Sequence, residues 1–293
     1  MTAATPSLAA RQILLSSRPL SWINTAFPFA AAYYLTTRQI DAPLIVGTVF
    51  FLIPYNLAMY GINDVFDYES DIANPRKGGV QGAVMGRELH RATLASSVVV
   101  VVPFLAFLCA VGDPASWIVL AISMFAVVAY SVSGLRFKER PFLDSATSST
   151  HFVSPAVYGL VLAGASFTPP LIALLCAFFL WGMASQAFGA VQDIIPDRAG
   201  GIRSVATVMG AARTTRIAII VWFAAGLLML VTAWPGPLGS LLVLPYIGLA
   251  ARYWSVSDRA SPTVTGGWKL FLGLNYLCGF LATLLLILYA RTP

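Results

Sequence analysis

Gly61–Asp71 reads GINDVFDYESD and follows a long apolar run, Pro43–Tyr60. It places Asn63, Asp64, Asp67, Glu69 and Asp71 within nine residues. At 3.6 residues per turn, Asn63, Asp67 and Asp71 stack on one helix face, with Asp64 about 100° to the side. Carboxylates at the end of a membrane helix are costly, and like charges four residues apart repel, unless something compensates them. Hard divalent cations do so: Mg²⁺ takes oxygen ligands, one or two carboxylates with waters and a substrate phosphate. The plainer alternative is a solvated acidic helix end.

The surrounding chain makes that helix a membrane helix. Of 293 residues 58% are hydrophobic and only 10% charged, with mean hydropathy +0.78. A soluble domain carries roughly a quarter charged residues. The expected class is therefore an all-α integral membrane protein; ten-residue alternating segments, the mark of a barrel, are missing. Apolar windows of about 20 residues predict nine helices around a central cavity. They fall at 19–37, 43–66, 91–112, 115–133, 142–163, 169–193, 214–234, 237–254 and 268–290. Pro235, Pro237 and Pro245 crowd the eighth, where proline removes helix donors. Arg11 and Arg18 precede an apolar segment in the manner of a signal peptide, which is read as a retained first helix. Cys109, Cys176 and Cys278 lie in apolar runs without metal-ligand spacing and imply no disulfide framework.

With the N-terminus cytoplasmic and the C-terminus outside, 16 of the 18 basic residues fall inside, leaving Arg38 and Arg291. The positive-inside rule demands this asymmetry. Ten of the twelve acids, all but Asp41 and Asp113, share that side, although acids contribute little to orientation. The chemistry is expected at the cytoplasmic mouth.

A second acidic site ends the sixth predicted helix: Gln186, then Gln192-Asp193-Ile194-Ile195-Pro196-Asp197-Arg198. Asp193 and Asp197 are again four apart. D-I-x-x-x-R-x-G-G occurs at Asp71–Gly79 and at Asp193–Gly201, a hint of related halves at 61–79 and 186–201, although the D-x-x-x-D pairs align in another register. Two carboxylate clusters, each followed by an arginine and a glycine pair, suit a cation-bridged diphosphate, with Arg76, Lys77 and Arg198 on the remaining phosphate oxygens. Tyr130-Ser-Val-Ser-Gly-Leu-Arg136-Phe-Lys138-Glu-Arg140 supplies a third group, its bland reading being cytoplasmic anchoring. Arg18 and Asn24 are further candidates, Asn24 lying a turn and a half into a span, where an amide needs a partner.

Asn63-Asp64-x-x-Asp67-x-x-x-Asp71 with Asp193-x-x-x-Asp197, on nine hydrophobic helices, resembles the UbiA superfamily of intramembrane prenyltransferases. The resemblance covers nearly the whole chain, 1–293, as a single domain. It implies Mg²⁺ held by Asn63, Asp64, Asp67, Asp71, Asp193 and Asp197, with the five aspartates catalytic. It also implies that Tyr130 and Arg136 or Lys138 bind the diphosphate; Lys138 stands eight residues from Tyr130, a wider spacing than the family's Tyr-x-x-x-Lys. YSVSGLRFKERPFLDS and FGAVQDIIPDRAGGIRSVATVMGA look most like the lycopene elongase branch, which makes C50 carotenoids. The implied donor is dimethylallyl diphosphate and the implied acceptor lycopene, bound among Phe66, Tyr68, Tyr60, Trp181, Phe188 and Tyr276, whose ring faces stabilise cationic carbon; packing is the bland reading of each. Other implied partners are membrane lipids and proteins of carotenoid synthesis, with no nucleic acid.

Two competing readings are an aromatic-acceptor prenyltransferase of quinone or chlorophyll biosynthesis and a cation-coupled transporter. The first calls for an extra basic residue buried near the cavity; the basic residues stand at the span ends and not deep within them, which leans towards the hydrocarbon, although arginines at the cytoplasmic edge could serve. The second places its acids near the midplane, not at one mouth. A non-catalytic assembly partner leaves the acidic pair without a purpose. His90 and His151, the only histidines, are read as structural. Pro155 and Ser145–Thr150 predict a kinked, polar-lined fifth helix. No side chain is singled out as the base that ends the reaction.

Overall fold

The computed structural model describes residues 6–73 and 86–291, and among these every regular element is helical. Arg76, Lys77 and the pair Gly78–Gly79 lie outside the described residues. Six described helices are long and apolar enough to cross a membrane: Ala42–Phe66, Arg87–Val111, Pro114–Ser131, Pro169–Val191, Ala211–Met229 and Asp258–Arg291. The protein is therefore a multi-pass membrane protein. Leu143–Leu162 is also long, but its first half carries Asp144 and the Ser/Thr run.

The chain packs as two compact units: 1–136 with 151–165, and 137–150 with 166–293. In the first, Phe29, Phe50, Phe51, Tyr55, Leu108 and Tyr158 are fully buried. Phe29 stacks on Tyr33 and Tyr158 at 5.9 Å, and Gly47 leaves room for it: a Cβ there would stand 2.2 Å from the Phe29 ring. In the second unit the core is Phe188, Trp222, Tyr246 and Phe271. Ala184, Ala187, Ala211, Ala218 and Ala225 surround it, small residues that let membrane helices approach closely.

The elements depart from the sequence expectations where proline and glycine intervene. The predicted 43–66 helix is broken at Ile53 into Ala42–Leu52 and Pro54–Phe66, because Pro54 has no N–H to give. In lipid the freed carbonyls must find other donors. Asn56 Nδ2 donates to Phe51 O at 2.8 Å and to Leu52 O at 3.1 Å, and Thr25 Oγ1 donates to Phe51 O at 2.7 Å. Asn56→Leu is expected to cost roughly 2–4 kcal/mol, because it strips buried carbonyls of their donors. A shift of the detergent-solubilised thermal transition reads this directly; an unchanged transition would mean that the joint does not need its amide.

The crowded 237–254 region becomes a 3₁₀ turn, Gly236–Val243, followed by Leu244–Ala251. At the other end, an unforeseen helix, Pro6–Ser16, precedes the first predicted span. It ends where Arg18 takes a left-handed backbone (φ 53°) ahead of Pro19, and the next helix starts only at Ile23.

Candidate active site

In the first unit the Pro54–Phe66 helix delivers the first acidic motif. Asp67 caps it with φ −97° and ψ −1°, and Tyr68–Ala73 continues as a short helix. The i→i−4 ladder runs through the joint, Asp67 N to Asn63 O at 2.9 Å and Asp71 N to Asp67 O at 2.8 Å. The expected stacking of Asn63, Asp67 and Asp71 therefore survives the change of helix. Asp64, Asp67 and Asp71 are all buried, at 2%, 9% and 7% exposure, and charge at such depth demands partners.

Two arginines answer that demand. Arg18 Nη2 donates to Asp64 Oδ1 at 2.9 Å, and its guanidinium lies 4.3 Å from the centre of the Tyr60 ring. Arg136 comes within 3.8 Å of Asp67 Oδ1. Both have positive φ, 53° and 39°, a backbone state costing about 1–3 kcal/mol outside glycine that persists only when the surroundings enforce it. Arg38 shares the state as an ordinary helix cap, so the conformation matters here because of what the two guanidiniums reach. Ser131 Oγ donates to Asn63 Oδ1 at 3.0 Å, and the neighbouring Tyr130 meets the His151 ring edge-on at 5.5 Å.

The second unit carries the second motif. Asp193 joins Pro169–Val191 to the short helix Ile194–Ala199 with φ −99° and ψ 2°, almost the dihedrals of Asp67. Asp197 N bonds Asp193 O at 2.9 Å, as Asp71 N bonds Asp67 O. Local geometry thus favours the D-x-x-x-D register, Asp67 with Asp193 and Asp71 with Asp197, over the D-I-x-x-x-R-x-G-G register. Asp193 and Asp197 are half-buried, as is Lys138 on its 3₁₀ turn Phe137–Glu139.

Two expected ligands are placed differently. Arg198 donates Nε and Nη2 to Thr207 O at 3.0 and 2.7 Å, and Nη1 to Asp258 Oδ2 at 2.7 Å. Asp258 in turn accepts from Ala211 N at 2.7 Å. This arginine therefore fastens the segment after the second motif. Asn24 is the second residue of its helix and exposed, not a turn and a half inside a span, because the helix starts later than its hydropathy. Tyr68 is half-buried, edge-on to His90 at 4.9 Å with Arg87 5.3 Å from its ring centre, lining an open groove with Val65, Phe66 and Glu69. Among the suggested acceptor aromatics, Phe188 is core and Tyr276 is exposed at 59%.

Sequence reading missed three participants. Ser131 stands beside Tyr130 in the quoted YSVSG stretch. Asp144 is buried and accepts from Val205 N at 2.8 Å and Ser145 N at 2.7 Å, which fixes the segment following Asp197. Asp258 holds Arg198, 60 residues away. Ser131 and Asp144 both stand in the quoted YSVSGLRFKERPFLDS stretch; Asp258 had no local signal.

Among the described residues no three His, Cys, Asp or Glu side chains converge closely enough to make a metal cage. The donor set is nevertheless all oxygen, amide and carboxylate, and suits a hard cation that keeps waters and arrives with a phosphate rather than one caged by protein alone.

The UbiA prenyltransferase family profile matches residues 25–274. A protein of Corynebacterium glutamicum named lycopene elongase/hydratase is 50% identical over 279 residues, covering 94% of this chain and 96% of that one. A C50 beta-cyclic carotenoids biosynthesis protein of Dietzia sp. is 55% identical over 269 residues, covering 92% of this chain; the match spans only 62% of that longer protein. Among solved structures, a UbiA homolog from Archaeoglobus fulgidus bound to DMAPP and Mg²⁺ superposes with TM-score 0.63 at 18% identity, covering 91% and 98% of the two chains.

Proposed function

We propose, from the premise that this chain belongs to the UbiA prenyltransferase family, that it transfers the dimethylallyl group of dimethylallyl diphosphate to the end of lycopene, with Mg²⁺ as cofactor, in C50 carotenoid synthesis. The observation that carries this reading is the end-to-end likeness to the Corynebacterium lycopene elongase/hydratase. The donor and the metal are supported by the DMAPP and Mg²⁺ bound to the Archaeoglobus homolog and by the all-oxygen donors of both motifs.

The proposed topology is nine crossings, N-terminus cytoplasmic and C-terminus outside, with Ile23–Thr37, Leu143–Leu162 and the Gly236–Ala251 region completing the six longer spans. The concentration of 16 of 18 basic residues on one side supports it; in this reading the acidic motifs face the cytoplasm. Residues 1–293 act as one catalytic domain.

Asn63, Asp64, Asp67, Asp71, Asp193 and Asp197 hold the metal, which supplies charge neutralisation for the leaving diphosphate. Arg18, Arg136 and Lys138 take phosphate oxygens, assisted by Tyr130; Arg76 and Lys77 join them from the residues that follow the first motif. Arg18 and Arg136 already balance Asp64 and Asp67, so the site exchanges one set of ion pairs for another when the diphosphate enters. As the C1–O bond breaks, its electron pair leaves with the diphosphate and an allylic cation remains. The π pair of lycopene's terminal double bond then closes on C1, leaving a tertiary cation that loses a proton or captures water.

Purified protein in vesicles given dimethylallyl diphosphate, Mg²⁺ and lycopene is expected to yield C45 and C50 carotenoids, separable by chromatography. Aromatic acids run in parallel are expected to remain unprenylated. Prenylated aromatics without a lycopene product would replace this reading by the aromatic-acceptor one.

A further inference from the structure

A hydrocarbon acceptor brings no polar atom into the membrane, so each polar side chain buried deep in the first unit needs another reason to be there. Asn56 and Thr25 answer to the Pro54 joint. Ser97 and Thr93 bond carbonyls one turn back in their own helix. His151 has no such explanation. It is 3% exposed, its Nδ1 is 3.3 Å from the Tyr55 hydroxyl, and its Nε2 is buried without a hydrogen-bond partner. Ser154, on the same face of the His151 helix one turn further on, is buried beside it at 6% exposure. Tyr130 packs edge-on against the imidazole, while its neighbour Ser131 bonds Asn63 of the first motif.

Tyr55 and Asn63 lie on one helix, so the tyrosine that holds the imidazole is rooted about 12 Å of helix axis from the acidic motif. That depth suits the product end of the reaction: the diphosphate stays with the acids, and the new tertiary carbon lies several bonds further in. When Nδ1–H donates to the Tyr55 oxygen, Nε2 presents a lone pair, because the bond made by one ring nitrogen sets the state of the other.

We propose that His151, oriented by Tyr55, is the base that terminates the carbocation. In hydration, a water lone pair closes on the tertiary carbon and the O–H proton passes to Nε2. In elimination, the electron pair of a neighbouring C–H bond becomes the new double bond and that proton passes to the same nitrogen. A buried nitrogen lacking a partner is the kind of group that holds an ordered water, and Tyr130 packs edge-on against its ring. The assignment rests on the lycopene reading above and goes beyond it by naming the proton acceptor.

The test measures two quantities in wild type, His151→Phe and His151→Gln: diphosphate release, and the ratio of hydroxylated to alkene product ends, in H₂¹⁸O with dimethylallyl diphosphate, Mg²⁺ and lycopene. Release is expected to stay within about threefold of wild type, because ionisation takes place at the acids, while the ratio shifts at least tenfold. A ratio equal to wild type in either folded variant overturns the proposal, as does a parallel loss of release and product at constant ratio. Should neither His151 variant fold, Tyr55→Phe decides: it keeps the ring and removes the hydroxyl that orients the imidazole, a threefold or greater change in ratio is expected, and none overturns the assignment. Failure of wild type to release diphosphate with lycopene strikes the functional reading instead.

Discussion

Asp67→Asn and Asp193→Asn are each expected to lower lycopene prenylation roughly a thousandfold or more, the scale of losing one electrostatic stabiliser of a charge that develops in the transition state. The amide keeps the shape of the side chain and removes its charge. At Asp67 the substitution also removes one carboxylate from beside Arg136, 3.8 Å away, which favours the arginine's attraction to phosphate. Diphosphate binding is therefore expected to suffer less than turnover, a split that binding of a non-hydrolysable donor analogue would reveal. Thermal transitions of both variants should stay near wild type, since Asp67 and Asp193 end their helices through backbone bonds. Near-normal product from either folded variant would remove that motif from the chemistry.

Chelation is the second large effect. With EDTA in excess, product formation and diphosphate release are both expected to fall by at least a thousandfold, and added Mg²⁺ is expected to restore them. Mg²⁺ usually binds through one or two carboxylates together with a substrate phosphate, so restoration should depend on donor concentration as well as on metal. Diphosphate release that continues at full rate in chelator would take the metal out of the reaction and leave Arg18, Arg136 and Lys138 as the counter-charges. Calcium offers a further contrast, because it takes more ligands at longer distances than Mg²⁺ does.

Much of this site is legible in the chain. Acids ending apolar runs stand out because so few charged residues interrupt the spans, and Asp67 and Asp193 do lie at twin joints between a long and a short helix. Arg136 is equally visible, through its place between the motifs. What escapes is pairing at a distance. Arg18 reaches Asp64 across 46 residues and Arg198 reaches Asp258 across 60, and such bonds leave no periodic trace. The misplacement of Asn24 has another cause: hydropathy continues through Trp22 and Ile23, while the backbone has already turned at Arg18–Ser21. One histidine makes no metal site, so the chain alone gives His151 no chemistry; its interest comes from Tyr55 and Tyr130, which only the fold places beside it.

The Pro54 joint separates two tasks that a continuous rod would have to share. Ala42–Leu52 is almost wholly apolar and answers to bilayer thickness, whereas Pro54–Phe66 carries Asn63 and Asp64 and answers to the substrate. With Asn56 and Thr25 sealing the break, length or bulk can be traded along the outer segment without rotating the acids. A lineage moving into a thicker or thinner membrane could refit its anchor and leave its chemistry in register.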